Sequence, residues 1–456
     1  MSAVFDGTRW IYAFYLILLV WVPVPLGSNR SWSGAVLEIW VFVLALAWLA
    51  GHIRGKYVCP PTLRKAWPML ICAGAWLGYV WLQLVPLPIE FLQLLSPNSA
   101  RWHAAAAAPG ILATAPLTLD RHATIESACK STAYVVFFAL SVIVLSNRDR
   151  IRFATYALIA SGVLQALYGT FSSLQNPGEM PSGTFVNRNH YAAYLVMCLS
   201  VGIGVLMASL TDQRHQSWGH FFRNLIQWMI TPKMALRLLL VTMVIALVLT
   251  RSRMGNSAFF VSLFVAGVAG LVLSRRATRP MTVLLISLIV IDVFIIGAYF
   301  GTQRVIESIG QTTLQSEDRD EVAAYAIRMW RDYPIFGSGL GSFPVVFPGY
   351  SAQGTLASYT HAHNDYLELG AEVGLVGLGL LGSIVVMSLW TALRAQYLQP
   401  DPVLRGVSFA AIMGIVGLMT HSLADFNLQI PANALTFMQL IAFAWISRHY
   451  AATKPN

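Results

Sequence analysis

The sequence predicts an all-α polytopic membrane protein, and three observations carry the prediction. Of its 456 residues 56% are hydrophobic and only 11% charged, too few charges to clothe a water-soluble surface of that size. Apolar runs of the roughly 17 to 25 residues that cross ~30 Å of hydrocarbon recur about twelve times. Lysine and arginine gather in alternate connections between those runs, as they do in cytoplasmic loops.

In chain order the runs lie near 10–27, 33–51, 66–88, 127–146, 153–174, 190–210, 235–250, 255–273, 281–300, 367–393, 404–422 and 431–447. The first carries Pro23 and Pro25 and lacks a small-residue cleavage site, so it reads as a retained span rather than a leader. With the N-terminus in the cytoplasm, alternate connections hold Arg54, Lys56, Arg64 and Lys65, then Arg148, Arg150 and Arg152, then Arg214, Arg223, Lys233 and Arg237. Arg275, Arg276 and Arg279 follow, and Arg394 and Arg405 come last. With Arg9, Arg448 and Lys454 this puts 19 of the 30 basic residues inside, and about 15 of the 20 acidic residues fall outside. Both termini are expected in the cytoplasm. The net charge of +10 is thereby accounted for as a topology signal, and no nucleic-acid role is assigned. Cys59, Cys72, Cys129 and Cys198 show no paired spacing, which argues against a disulfide framework or a thiolate metal site.

Without an internal repeat or a low-complexity linker, residues 1–456 read as one integral membrane domain. Two external segments are long enough to hold structure, a smaller one at 89–126 and a larger one at 301–366. In the larger, Ser316 to Trp330 reads as a helix with Ser316 as N-cap and acids in the first turn, stopping before Pro334. Asp318 and Asp320 could bind a divalent cation, but acids belong in a first turn anyway and i,i+2 residues on a helix do not face each other. The run Gly337-Ser338-Gly339-Leu340-Gly341 can turn tightly or bring backbone amides to an anion.

The strongest local feature is Tyr359-Thr360-His361-Ala362-His363-Asn364-Asp365, where the large segment meets a span. Its histidines fall on one side of an extended chain and on different faces of a helix. A metal site would need Glu368, Glu372, His421 or Asp425 as further ligands, whereas acid/base chemistry needs one histidine beside a substrate hydroxyl. Interfacial histidines that merely cap the span are the plain alternative.

Three more external clusters weigh against that alternative: Gly183-Thr184-Phe185-Val186-Asn187-Arg188-Asn189-His190, Thr250-Arg251-Ser252-Arg253, and Thr420-His421 through Asp425-Phe426-Asn427. Arginine at the external mouth of a span runs against the positive-inside bias. Arg188, Arg251 and Arg253 either snorkel to headgroups or clamp phosphate, which guanidinium recognises through paired hydrogen bonds. Fixed arginines would also disfavour a protonated imidazole nearby, leaving His363 neutral and able to act as a base. A transporter without chemistry is the rival class, but only Asp292 lies well inside a span and no repeated halves are visible.

Together these motifs resemble the O-antigen ligases and their relatives, the polysaccharide polymerases and protein O-oligosaccharyltransferases. The resemblance covers roughly 183–431 and rests on Gly183-Thr184-Phe185 with Asn187-Arg188-Asn189-His190, Ser252-Arg253, Arg328, Trp330 and Pro334 with the glycine run, His361-x-His363-Asn364, and His421 with Asp425-Phe426. It implies a glycosyltransferase of GT-C type acting on glycan carried by undecaprenyl pyrophosphate at the periplasmic face of the bacterial inner membrane. The acceptor would be the lipid A-core oligosaccharide, with inversion at the anomeric carbon and neither metal nor other cofactor. By the same resemblance His363 deprotonates the acceptor and Arg188 and Arg253 hold the pyrophosphate, with Arg319 and Arg328 as weaker candidates for that anion. The tail ending at Asn456 favours ligase over protein transferase and does not separate ligase from polymerase.

Overall fold

The computed structural model describes residues 7–107, 113–176, 178–209, 232–273, 314–350 and 359–450, with a few positions between 282 and 290 and the backbone alone for 314–320. It is built of helices: α1 (Arg9–Trp21), α2 (Ser31–Ile53), α3 (Trp67–Leu82), α4 (Arg121–Val144), α5 (Arg148–Gln175), α6 (Arg188–Ser209), α7 (Pro232–Leu249), α8 (Arg253–Leu273), α9 (Leu314–Asp332), α10 (Asp365–Leu398), α11 (Pro402–His421) and α12 (Pro431–His449). Every expected span coincides with one of these helices except the ninth, 281–300, which lies almost wholly outside the described residues. Among the described residues seven helices, α2, α4, α5, α6, α8, α10 and α11, are long and apolar enough to cross a membrane. Among the described residues strand is confined to Leu87–Pro88 paired with Thr114–Ala115.

Local chemistry sets the helix ends. Asp120 accepts from Ala123 N at 3.0 Å to start α4, Asn147 from Arg150 N at 2.9 Å to start α5, and Asp401 from Val403 N at 2.8 Å to start α11. Pro402 and Pro431 open their helices, where a missing N–H costs nothing. The first expected run is cut short instead: α1 ends at Trp21, and Leu26, Gly27 and Ser28 turn back with φ of 55°, 68° and 56°. Helix α9 begins by Leu314, so Ser316 lies inside it rather than at its cap, and it ends at Asp332 as Pro334 requires.

The core is the trio α6, α11 and α12, each buried almost all round. Small residues let them close: a Cβ on Gly204 would lie 2.3 Å from Gly406 O, and Gly417 packs on Val196 of α6 and Ser262 of α8. Outer helices present lipid-type surfaces, as at Ile39, Val43 and Leu46 of α2.

One end of the bundle carries the loops. Helix α10 is broken there at Gly374 (φ 60°), where Leu375 N donates to Pro334 O at 2.9 Å and Val376 N to Ile335 O at 3.1 Å. The segment after α9 thus docks into the broken α10 ladder and fixes the large loop against the bundle. The smaller loop leans on it through Leu119 N to Ser338 O (2.8 Å) and Asn98 Nδ2 to Asp332 O (2.9 Å).

Candidate functional site

The glycine run forms a turn rather than an anion cradle. Gly337, Gly339 and Gly341 have φ of 72°, 112° and 83°, and a Cβ on the first two would meet Glu372 O at 2.1 Å and Thr118 Oγ1 at 2.0 Å. Its amides are spent internally: Ser338 N on Ala371 O (3.0 Å), Gly339 N on Glu372 O (2.9 Å), Leu340 N on Gln83 Oε1 (3.1 Å). Glu372 accepts from Phe343 N at 2.9 Å, which engages it with this turn and away from the histidines.

The segment 361–364 is held differently. Asn364 caps α10, accepting from Tyr366 N at 3.0 Å and Leu367 N at 3.1 Å, and its amide donates to Leu423 O at 2.9 Å. Buried Glu368, one turn on, accepts from Ala362 N and reaches His361 Nδ1, both at 2.8 Å. Between those two anchors His363 adopts φ 51°, a left-handed conformation that costs a non-glycine residue roughly 1–2 kcal/mol.

The turn after α11 faces this segment. Phe426 is the common platform: His361 stacks on it at 4.0 Å between centroids, and His190 and His363 meet it edge-on at 4.5 and 5.1 Å. Asp425, fully buried, lies 3.4 Å from His190 Nε2 and 3.6 Å from His363 Nδ1, spacings of an ion pair rather than a tight hydrogen bond. Burial raises the Asp425 carboxyl, but the imidazoles of His190 and His363 and the neighbouring His421 outweigh it and hold the group well below the usual aspartate range. It is therefore ionised at neutral pH. The charge found beside His363 is thus that of the Asp425 carboxylate.

Around Asp425 lies a set of buried polar atoms that make no hydrogen bond of normal geometry: His190 Nε2, His363 Nδ1, both nitrogens of His421, Asp365 Oδ1, Ser422 Oγ and the side-chain amide of Asn427. Buried polar atoms are ordinarily paired, and their concentration at one place marks a site that awaits polar partners. Asn433, a polar residue inside α12, steadies it by donating to His190 O at 3.1 Å.

The arginines border this cluster. Arg188 opens α6 two residues before His190, and Arg253 opens α8. The first turns of those helices touch, since a Cβ on Gly255 would lie 2.7 Å from Ala192 Cβ. The N-terminal dipoles of the two helices and the two guanidinium groups together make this junction electropositive. Arg188 also contacts Met180 through Nη1, and Asn189 N donates to Asn187 Oδ1 at 2.8 Å. Arg251 is exposed in the turn before α8 with φ 52°. Arg328 sits exposed on α9 over the Tyr325 ring at 5.2 Å, with α9 rather than with the imidazoles. The side chains of Asp318, Arg319 and Asp320 lie outside the described residues. Among the described residues no group of three or more His, Cys, Asp or Glu is arranged to hold a metal ion.

Sequence reasoning missed Phe426 as the platform, Asn433 as a member of the cluster, and the grip of Glu368 on His361, while Asp365 and Asn427 lay within the motifs without being singled out. Polar residues inside or beside apolar runs were the available signal for the asparagines.

Residues 238–382 match the family model described as O-antigen ligase. This supports membership of the O-antigen ligase family. A comparison with curated proteins gave no significant match. The O-antigen ligase match takes in Arg251, Arg253, Arg328, His361 and His363, while Arg188 and His190 precede it and His421 and Asp425 follow it. The match points to a membrane glycosyltransferase of the O-antigen ligase or polymerase type.

Proposed function

We propose that the chain is an inverting ligase that moves O-antigen glycan from undecaprenyl pyrophosphate to lipid A-core at the periplasmic face of the inner membrane. The observation that carries the proposal is the junction at α6, where Arg188 stands two residues from the histidine that touches Asp425, and Asp425 also pairs with His363. A seat for an anion and a base backed by a carboxylate therefore adjoin.

In this reading Arg188 and Arg253 hold the pyrophosphate, aided by the N-terminal dipoles of α6 and α8. His363 takes the proton of the acceptor hydroxyl as its oxygen bonds to the anomeric carbon. The bond from that carbon to the pyrophosphate oxygen breaks on the opposite side. Arginine then stabilises the charge that gathers on the leaving group, and Asp425 stabilises the imidazolium. The reading calls on no metal ion, because arginine meets the charge that a metal would otherwise neutralise.

The test is reconstitution with lipid-linked glycan and either lipid A-core or a second lipid-linked repeat as acceptor, in the presence of a chelator. Glycan on lipid A-core supports the ligase; lengthening of the lipid-linked chain instead would make the protein a polymerase. Arg188→Lys keeps the charge but not the planar fork, and is expected to lower transfer at least about tenfold. Equal transfer would leave Arg188 as a headgroup anchor.

A further inference from the structure

A second substrate feature lies on the other face of α11. A cavity of about 420 Å3 is walled by α3, α4, α10, α11 and α12, with Trp76, Leu381, Val385, Phe437 and Met438 among its apolar lining. Gly382 and Val386, both exposed on α10, form part of that lining, so the cavity opens sideways toward lipid. At its loop-bearing end it is lined by Asp365 and Ser422. Asp365 N donates to Asp425 O at 3.2 Å and to Ser422 O at 3.1 Å, which places that end against the histidine cluster. Lys130 and two serines, Ser127 and Ser131, add a polar flank.

We infer that this cavity holds one acyl chain of the phosphorylated acceptor lipid and that Lys130 meets its phosphate. This rests on the ligase reading above. Two observations select the acceptor over the donor. The arginine pair stands on α6 and α8, which pack on the opposite face of α11 at Gly417, so the donor's anion seat and the cavity flank the catalytic turn from two sides. Inverting displacement needs that layout, because the attacking hydroxyl enters opposite the leaving group. Lys130 is paired with half-exposed Glu126 at 2.8 Å and has Glu38 as a second acidic neighbour. An exposed i,i+4 pair is worth only a few tenths of a kcal/mol, so a phosphate can displace the Glu126 carboxylate.

Lipid tails are as apolar as this lining, so the cavity contributes position more than affinity, and modest effects are expected. The full chain in nanodiscs is compared with Gly382→Phe, which fills open space since no atom lies within 4 Å of a Cβ built there, and with Lys130→Gln. Each variant should raise the KM for lipid A-core three- to tenfold while the donor KM and kcat stay unchanged. A rise in donor KM alone, or no rise in either, overturns the inference. A second arm needs no turnover: lipid A bearing a photoactivatable acyl chain, without donor, should label Leu381 or Met438 in the native chain and lose that labelling in Gly382→Phe. Labelling elsewhere, or unchanged in the variant, overturns it too. Labelling without any transfer to lipid A-core by the native chain would sink the ligase reading and leave the lipid site standing.

Discussion

The turn at Gly337–Gly341 and the segment His361–Asn364 sit at the same end of the bundle and both contain left-handed residues, yet they have opposite polar economies. In the glycine turn the amides of Ser338, Gly339 and Leu340 are paired, and glycine supplies the positive φ at little cost. In the histidine segment the left-handed position is occupied by His363, and its imidazole and its partners Asp425 and His190 leave buried atoms without normal hydrogen bonds. Two bends that look alike in backbone angle differ in what remains available. The satisfied one is scaffold, and the strained, under-satisfied one is where chemistry belongs.

Substitution in each separates the two most sharply. His363→Ala should lower kcat by about 10²- to 10⁴-fold with lipid binding retained, the range expected for loss of a general base. Gly337→Ala should do the reverse. Its Cβ would collide with Glu372 O at φ 72°, costing ~2 kcal/mol or more, so less folded protein is recovered while the surviving fraction turns over normally. Thermal unfolding and single-turnover transfer on both variants check the pair. Full activity in His363→Ala would erase the distinction.

Asp425→Asn probes the same contrast at smaller amplitude. Tight catalytic triads lose ~10⁴ when the orienting acid becomes an amide, but at 3.6 Å from His363 a loss of roughly 10- to 100-fold is expected. The sign of the pH effect follows from its depressed carboxyl. The Asp425 charge contributes fully above the ordinary aspartate range and is lost only as pH falls through its own, still lower value. A carbon-13 NMR titration of the native chain should therefore find the Asp425 carboxylate ionised throughout pH 5 to 8, and a carboxyl that titrates inside that window would overturn the assignment.

How legible was this from sequence? Apolar length located the helices well, because ~30 Å of hydrocarbon imposes a count of residues whatever the fold. Arg188, His190, His361, His363 and Asp425 were visible as polar residues at span ends, where desolvation makes them costly. The platform was not visible, because Phe426 is one aromatic among 23 phenylalanines and only the meeting of α6, α10 and the turn after α11 sets three imidazoles around it. Nor could sequence tell that Asp425 lies beside His363, since sixty-odd residues separate them. The role of the glycine run was open for the same reason: its partners Gln83, Thr118 and Glu372 come from distant segments.

The gentlest test lies at the border between the two regions. Glu368 grips His361 and the Ala362 amide with its two carboxylate oxygens and so sets the bend that precedes His363. Glu368→Gln keeps the volume but can accept only one of the two donors on its oxygen and presents an NH2 to the other. One lost charge-assisted bond at a buried position predicts ~1–3 kcal/mol less stability and a three- to tenfold fall in kcat, with both KM values near native. An unchanged kcat would reassign the bend to scaffold alongside the glycine turn. A fall as deep as that of His363→Ala would point the other way: the His361–Glu368 pair, at 2.8 Å the tighter of the two acid–imidazole contacts, would then be handling the proton itself.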